Sequence, residues 1–325
     1  MKFSLKSFLY IFLYVFKSRF YNKKNQKSLT IVLPNNSKGW VLHGIAKEIK
    51  KSDFRIKIIE LKNISKNNDG YFLLMHYSLI RKVALNGINL ESICIWFTHP
   101  REDLIKNYLE YSFYFKRLKK IFLSCSLHNS FLKNQFNLKQ NLVVAIGGFD
   151  EKTFFLKRKS KRKYIGICSS YYDRKNPELI FKVINKLKNY NFLLLGKKWE
   201  NWKKFHKMLE LNNFDYVDSS YDNYNYYYNE MKVFISLSFL EGGPIPLLES
   251  MACGAFPIVT NTGFASDVIS KHGVILKNFN NESEVCNEIS RIMKSTVDHG
   301  SISSSVKKYV WTNFSKQILK NIYNE

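Results

Sequence analysis

Acidic residues are scarce in this 325-residue chain: 26 Asp+Glu stand against 51 Lys+Arg, giving a net charge of +25. So large a surplus spreads a positive field over much of the surface and favours anionic partners, whether a membrane surface, a nucleoside diphosphate or nucleic acid. No zinc-finger, RNA-recognition or helix-turn-helix signature accompanies the charge, which argues against nucleic acid. Part of the surplus reflects a composition rich in Lys, Asn, Ile, Phe and Tyr. Cysteine is also sparse. Cys94, Cys125, Cys168, Cys253 and Cys286 are odd in number, scattered and without metal-ligand spacing. That pattern argues against a disulfide framework and a zinc site, and suits a reducing compartment. No internal repeat of solenoid length is present. What the chain does have is a 45% hydrophobic fraction, and a length suited to two ordinary domains.

The amino terminus is aromatic and basic. An apolar run at 8–16 follows Lys2 and Lys6 and is followed by Lys17, Arg19, Lys23, Lys24 and Lys27. It is about half the ~20 residues that span a bilayer, and no small-residue cleavage site follows it. Aromatics flanked by lysines suit an anionic headgroup layer. Residues 1–27 are therefore expected to contact a membrane without crossing it; the competing reading is a terminal helix packed on its own domain.

Beyond this segment the chain reads as two α/β halves. Strands are expected at 29–34, 55–61, 71–76, 93–98, 120–125 and 142–147, and then at 163–168, 192–196, 214–217, 232–237, 256–260 and 273–276. A polar turn ending at Gly39 leads into a helical pattern at 40–50, and a second helical pattern covers 178–187. Strands alternating with helices imply parallel, doubly wound sheets with ligands at the strands' carboxyl ends. The basic block at 157–163 has no apolar face and is expected to be a solvated linker. The boundaries are then 1–27, 28–156, 157–163, 164–308 and 309–325, the last a helical tail. The tyrosine-rich patch at 221–228 is expected to pack or to cover a cleft.

The most informative segment is Ser236 to Gly254. Glu241 and Glu249 have seven residues between them, including Gly242, Gly243, Pro244 and Pro246. An apolar strand precedes the first carboxylate, the glycines allow close backbone approach to a ligand, and Pro246 suits the first residue of a helix. Glu241 is then expected at the strand's end and Glu249 on the following helix, both facing a crevice whose helix terminus attracts phosphate. Carboxylates for sugar hydroxyls beside a phosphate cradle suit a nucleotide-sugar.

This segment resembles the E-x7-E motif of the family 4 retaining glycosyltransferases, and the likeness continues through 257–263 and Asp267. It covers most of 28–325, more loosely in the first half; at 143–150 the family's asparagine and valine are replaced by Gly147 and Phe149. The resemblance implies the GT-B fold: two Rossmann-like domains facing a central cleft, with the C-terminal helix crossing back to the first. It implies that Glu241 contacts the donor sugar and Glu249 the nucleoside ribose. Lys175 matches the lysine that neutralises the donor diphosphate. The family's arginine just after the first strand has no counterpart behind Gly166, and Arg174 is the substitute at hand. His99 corresponds to a histidine near the donor sugar and acceptor, while Gly39, His43 and His76 fall at the first domain's ligand edge.

No Asp-x-Asp occurs, the motif by which GT-A enzymes hold a diphosphate's cation, so no metal or other cofactor is expected. The activity implied is retaining transfer from a nucleoside-diphosphate sugar to a glycan or lipid-linked acceptor, in lipopolysaccharide or capsule assembly. The location implied is cytoplasmic and peripheral on the inner face of the plasma membrane. A GT-B nucleotide-sugar epimerase and an inactive GT-B scaffold are the alternatives.

Overall fold

Each short apolar run of the sequence becomes one strand of a parallel sheet. A computed structural model describes residues 5–18, 28–65, 70–138 and 141–323. The chain divides into two compact units, residues 1–146 with 311–325, and 147–310.

In the first unit β1 (Leu29–Leu33), β2 (Lys57–Glu60), β3 (Tyr71–Leu74), β4 (Ile93–Phe97), β5 (Lys120–Leu123) and β6 (Leu142–Val144) form one sheet in the order β2-β1-β3-β4-β5-β6. All its pairings are parallel, with Ile31 opposite Leu73 and Leu73 opposite Cys94. Every residue of β1, β3 and β4 is buried, as expected of parallel strands covered on both faces. The order reverses direction between β1 and β3, so the loops following those strands diverge and leave a crevice at their carboxyl ends.

The second unit repeats the plan. Its strands are β7 (Tyr164–Cys168), β8 (Asn191–Leu195), β9 (Phe214–Val217), β10 (Met231–Ser236), β11 (Phe256–Thr260) and β12 (Val274–Leu276), in the order β12-β11-β10-β7-β8-β9. The switch point lies between β7 and β10, where Gly166 pairs with Phe234. Gly166 leaves room there for the Met231 side chain, whose sulfur would stand 1.9 Å from a Cβ.

The tail helix Trp311–Tyr323 belongs to the first unit. Its Phe314, Ile318 and Ile322 are buried in one cluster with Ile45, Ala46 and Ile49 of the helix Val41–Lys51. Phe314 also meets Trp96 of β4 edge-on at 5.1 Å.

One expectation changes in part. Residues 157–163 lie inside the second unit; five of the seven are exposed, as expected of a solvated block, but Arg162 is engaged by the fold. Its guanidinium is half-buried and donates to the carbonyls of Met231 and Cys253 and to Asn229 Oδ1. One base of an otherwise exposed block can still be folded in, when backbone carbonyls accept its donors.

The amino-terminal run is a helix of the first unit, Leu5–Ser18, packed on the helices Ile80–Leu85 and Tyr108–Phe115. Tyr14 is buried and its hydroxyl accepts from Leu90 N–H at 3.2 Å. The Lys17 ammonium donates to Leu85 O at 3.0 Å. Arg81 lies 4.6 Å from the centre of the Tyr10 ring while it forms a double 2.6 Å pair with the buried Glu110. Lys2, Arg19, Lys23, Lys24 and Lys27 lie outside the described residues. Among the described residues no helix is long and apolar enough to cross a membrane.

Candidate active site

At the switch point of the second sheet, two loops are tied together. After β7, the tight turn Asp173–Lys175 is closed by Asn176 in the left-handed region (φ 58°), and Pro177 opens the next helix, Pro177–Lys186. Proline at that position has no N–H to leave unsatisfied. The Phe239 N–H donates to Arg174 O at 2.8 Å and Arg174 Nη1 donates to Leu240 O at 2.7 Å. These bonds clamp the turn against the loop that follows β10.

Glu241 stands in that loop, 5% exposed. Its Oε2 accepts from Arg174 Nη1 at 2.8 Å, and its Oε1 accepts from the Lys175 ammonium. Burial alone would raise its pKa, but the Lys175 and Arg174 charges outweigh burial and hold the carboxyl below the ordinary glutamate range, helped by Ser238. Glu241 is therefore ionised at neutral pH, between two bases with donors to spare: an ammonium has three N–H groups and a guanidinium five.

The sequence placed Glu241 at the strand's end; β10 instead stops at Ser236 and Glu241 rides in the loop beyond it. The helix begins at Ile245 after Pro244, one residue ahead of Pro246. Gly242 and Gly243 are half-exposed, and a left-handed glycine that packs against Glu241 is Gly263 (φ 54°). A Cβ on Gly263 would stand 2.8 Å from Pro244 Cδ and 3.3 Å from Glu241 Cβ, so its bareness lets the loop after β11 close on Glu241.

Glu249 lies on the helix Ile245–Ala252 and is 2% exposed. It does not share the environment of Glu241. One oxygen accepts from the Tyr221 hydroxyl and the other from the Tyr228 hydroxyl at 2.9 Å. Burial pushes its pKa up to about 7, against the pull of the two phenols. Tyr228 is fully buried, whereas Tyr221 is 51% exposed. The tyrosine-rich patch thus covers a carboxylate. The sequence suggested only that the patch packs or covers a cleft, and pointed to neither of these two partners nor to Ser238. A Ser169 hydroxyl just beyond β7 is buried without a hydrogen-bond partner.

The first sheet's carboxyl edge gathers histidines. Gly39 (φ 86°) ends the turn after β1, with open space where a side chain would stand. His43 lies in the first turn of the helix Val41–Lys51 and is half-buried. His76, just past β3, is buried and stacked on Tyr77 at 4.6 Å. Its Nδ1 accepts from the Ser78 N–H at 3.1 Å, which puts the proton of the neutral ring on Nε2, a buried nitrogen without a partner. Burial first, then the charges of Arg101 and His99, drives His76 down to about 4.

His99 follows β4 and lies within electrostatic reach of both His76 and His128. Sequence reading missed His128, which is buried near Ser124 at 3.3 Å and likewise driven to about 4 by burial and His99. Its signal was the same strand-then-helix position, after β5, that singled out His76 and His99. Among the described residues no three His, Cys, Asp or Glu side chains form a metal-binding group.

Residues 148–308 match the model of the family described as Glycosyl transferases group 1, nearly the whole second unit. The fold is that of GT-B glycosyltransferases. A glycosyltransferase from Rickettsia africae superposes with a TM-score of 0.73 at 16% identity, over 93% of this chain and 98% of that one. Anabaena HepE, solved with UDP and glucose, gives 0.74 at 10% identity, over 92% and 100%. The lipopolysaccharide outer core galactosyltransferase WaaB gives 0.70 at 11% identity, over 91% and 99%. No curated protein sequence matches the chain.

Proposed function

We propose that this protein is a retaining glycosyltransferase of the family 4 kind, with Glu241 and Glu249 as its E-x7-E pair. It moves a sugar from a nucleoside-diphosphate donor, held by the second unit, to a glycan or lipid-linked acceptor. The observation that carries this reading is the ionised Glu241 between Arg174 and Lys175 at the switch point.

The spare donors of Lys175 and Arg174 would hold the donor's diphosphate, joined by the unpaired Ser169 hydroxyl. As the sugar's C1–O bond to phosphate breaks, negative charge grows on the departing oxygen, and preorganised cations there lower the barrier. No obligatory metal is invoked, because the two bases supply that charge. The acceptor hydroxyl attacks C1 on the same face and passes its proton to the departing phosphate oxygen. Glu241 faces the positive charge that develops at the sugar and positions the donor. His99 is assigned a part in this step, with Gly39, His43 and His76 at the first unit's ligand edge.

Glu249 is assigned to the nucleoside ribose. A hydroxyl of the ribose would replace Tyr221, the more exposed of its two partners, while Tyr228 stays in place. The setting we propose is lipopolysaccharide or capsule assembly, on the cytoplasmic face of the plasma membrane. The lopsided charge supports it, as does the fold shared with an outer-core galactosyltransferase.

Calorimetry with a panel of UDP-, GDP- and other nucleotide-sugars tests this function. One donor is expected to bind, and at pH 8, where the Glu249 carboxyl is mostly ionised, Glu249→Ala to weaken it by about tenfold or more, since hydrogen bonds to charged groups contribute roughly 1.5–3 kcal/mol. Unchanged affinity in the variant would remove the ribose assignment; a panel without any binder would remove the proposed function.

A further inference from the structure

The helix Leu5–Ser18 shows two faces. Tyr10, Tyr14 and Lys17 engage the first unit through Arg81, Leu90 and Leu85. On the other side Phe8, Leu9, Phe12, Val15 and Phe16 are exposed, the three phenylalanines at 72%, 61% and 58%. At 100° per residue these five side chains fall within an arc of roughly 120° centred away from Tyr14. Singly exposed apolar residues are ordinary, but a contiguous aromatic stripe marks an interaction surface.

The surroundings of the stripe are basic. In the sequence, residues 1–47 contain no Asp or Glu and nine Lys or Arg, of which Lys2, Arg19, Lys23, Lys24 and Lys27 lie outside the described residues. Lys6 on the helix is exposed, as are Lys82 and Lys116 with Arg117 on or at the ends of the two helices it packs against. Arg117 lies over Phe113 at 3.8 Å, and Phe113 meets Tyr14 edge-on at 6.0 Å. Glu110 is neutralised by Arg81. The turn that Tyr14 reaches carries one exposed acid, Glu91.

We propose that the outer face of this helix, Phe8, Leu9, Phe12, Val15 and Phe16, is the surface by which the protein lies on an anionic lipid bilayer. The inference rests on the peripheral-membrane setting proposed above and names the surface responsible. Fourteen residues of helix reach about 21 Å, short of the ~30 Å hydrocarbon core, so the helix lies in the interface. There, aromatics enter the boundary between headgroups and acyl chains while neighbouring bases meet lipid phosphates. Because Tyr10 and Tyr14 are built into the first unit, the helix is a fixed part of the fold, not a detachable tether. The first unit is thereby held in one orientation on the surface.

The test is co-sedimentation of the full chain with neutral vesicles and with vesicles containing anionic phospholipid, at low and high salt. The variant combines Phe8→Ser, Phe12→Ser and Phe16→Ser. All three side chains face solvent, so donor binding and the melting temperature serve as checks on its fold. The wild type is expected to bind anionic vesicles, with salt weakening the binding, and the variant to bind at least tenfold more weakly.

A folded variant that binds as well as the wild type would overturn this surface assignment and leave the membrane setting standing. A wild type that ignores anionic vesicles at low salt would overturn both. A wild-type dimer that the variant reduces to monomers would assign the face to a second copy instead. Independently of the variant's folding, Phe12→Trp places a reporter on the stripe. Its emission is expected to shift to the blue on anionic vesicles and to be quenched by brominated acyl chains, over the background of five native tryptophans. Absence of quenching would contradict insertion.

Discussion

Lys175 reaches from the turn after β7 to the buried carboxylate of Glu241 in the loop after β10, across the switch point of the second sheet. One contact therefore serves two purposes. It presents a cation at the crevice where the donor diphosphate is proposed to sit, and it compensates a buried negative charge. Lys175→Ala should cut turnover on the order of a hundredfold, the scale of losing one preorganised stabilising group. It should also lower the melting temperature, since a buried carboxylate is left with Arg174 alone. Adding Glu241→Gln should restore the melting temperature and not the turnover. Recovery of both, measured by calorimetry and product formation, would mean the pair is structural only.

Glu249 carries a pH signature. Its pKa is about 7 in the folded protein, against an ordinary 4.5. Between those values the folded state keeps a proton that the unfolded chain releases, so this group's stabilisation is complete below about 4.5 and is lost as pH rises through about 7. The effect is on the order of 3 kcal/mol at most. Glu249→Gln should flatten the stability profile over that window and be more stable than wild type at pH 8, while binding donor more weakly. Parallel profiles for the two proteins in denaturant titrations would show that burial does not govern this carboxyl.

Tyr221 competes with the proposed ribose hydroxyl for one oxygen of Glu249. Tyr221→Phe deletes the competing donor and should tighten nucleotide-sugar binding by several-fold, up to about tenfold on the scale of one charged hydrogen bond. The unliganded variant should melt at a lower temperature. Weaker binding in the variant would show instead that Tyr221 contacts the donor directly.

His76 and His128 are buried and neutral, with pKa values near 4 against an ordinary 6.5. The unfolded chain takes up their protons first as pH falls, so the stability they allow is present above about 6.5 and lost on the way to 4. Replacing both with glutamine should reduce acid sensitivity in that window, read by thermal melts at pH 7 and pH 5. An unchanged difference between the two pH values would place the acid sensitivity elsewhere.

Strands were the most legible part of the sequence. A run such as 232–237 is short, apolar and bounded by turn residues, and it falls within one residue of β10, Met231–Ser236. Local pattern suffices there because a strand buried on both faces has to be apolar throughout. The carboxylates at 241 and 249 stood out by type and spacing, and the bases at 174 and 175 through the family resemblance. Their cages were not legible. Tyr221 meets Glu249 across 28 positions and Arg162 meets Cys253 across 91, contacts that no local pattern encodes. The amino-terminal helix was half legible: its aromatic run is plain in the sequence. Which face the fold takes, however, depends on Leu90, 76 positions beyond Tyr14.

The central claim is that the second unit binds a nucleoside-diphosphate sugar and that its sugar is transferred with retention at C1. The most direct measurement is NMR of the product formed from the best-binding donor with a soluble glycan acceptor. The account predicts a new glycosidic bond of the same anomeric configuration as the donor, absent in Glu241→Gln. An inverted linkage, or an epimerised donor formed without acceptor, would contradict it.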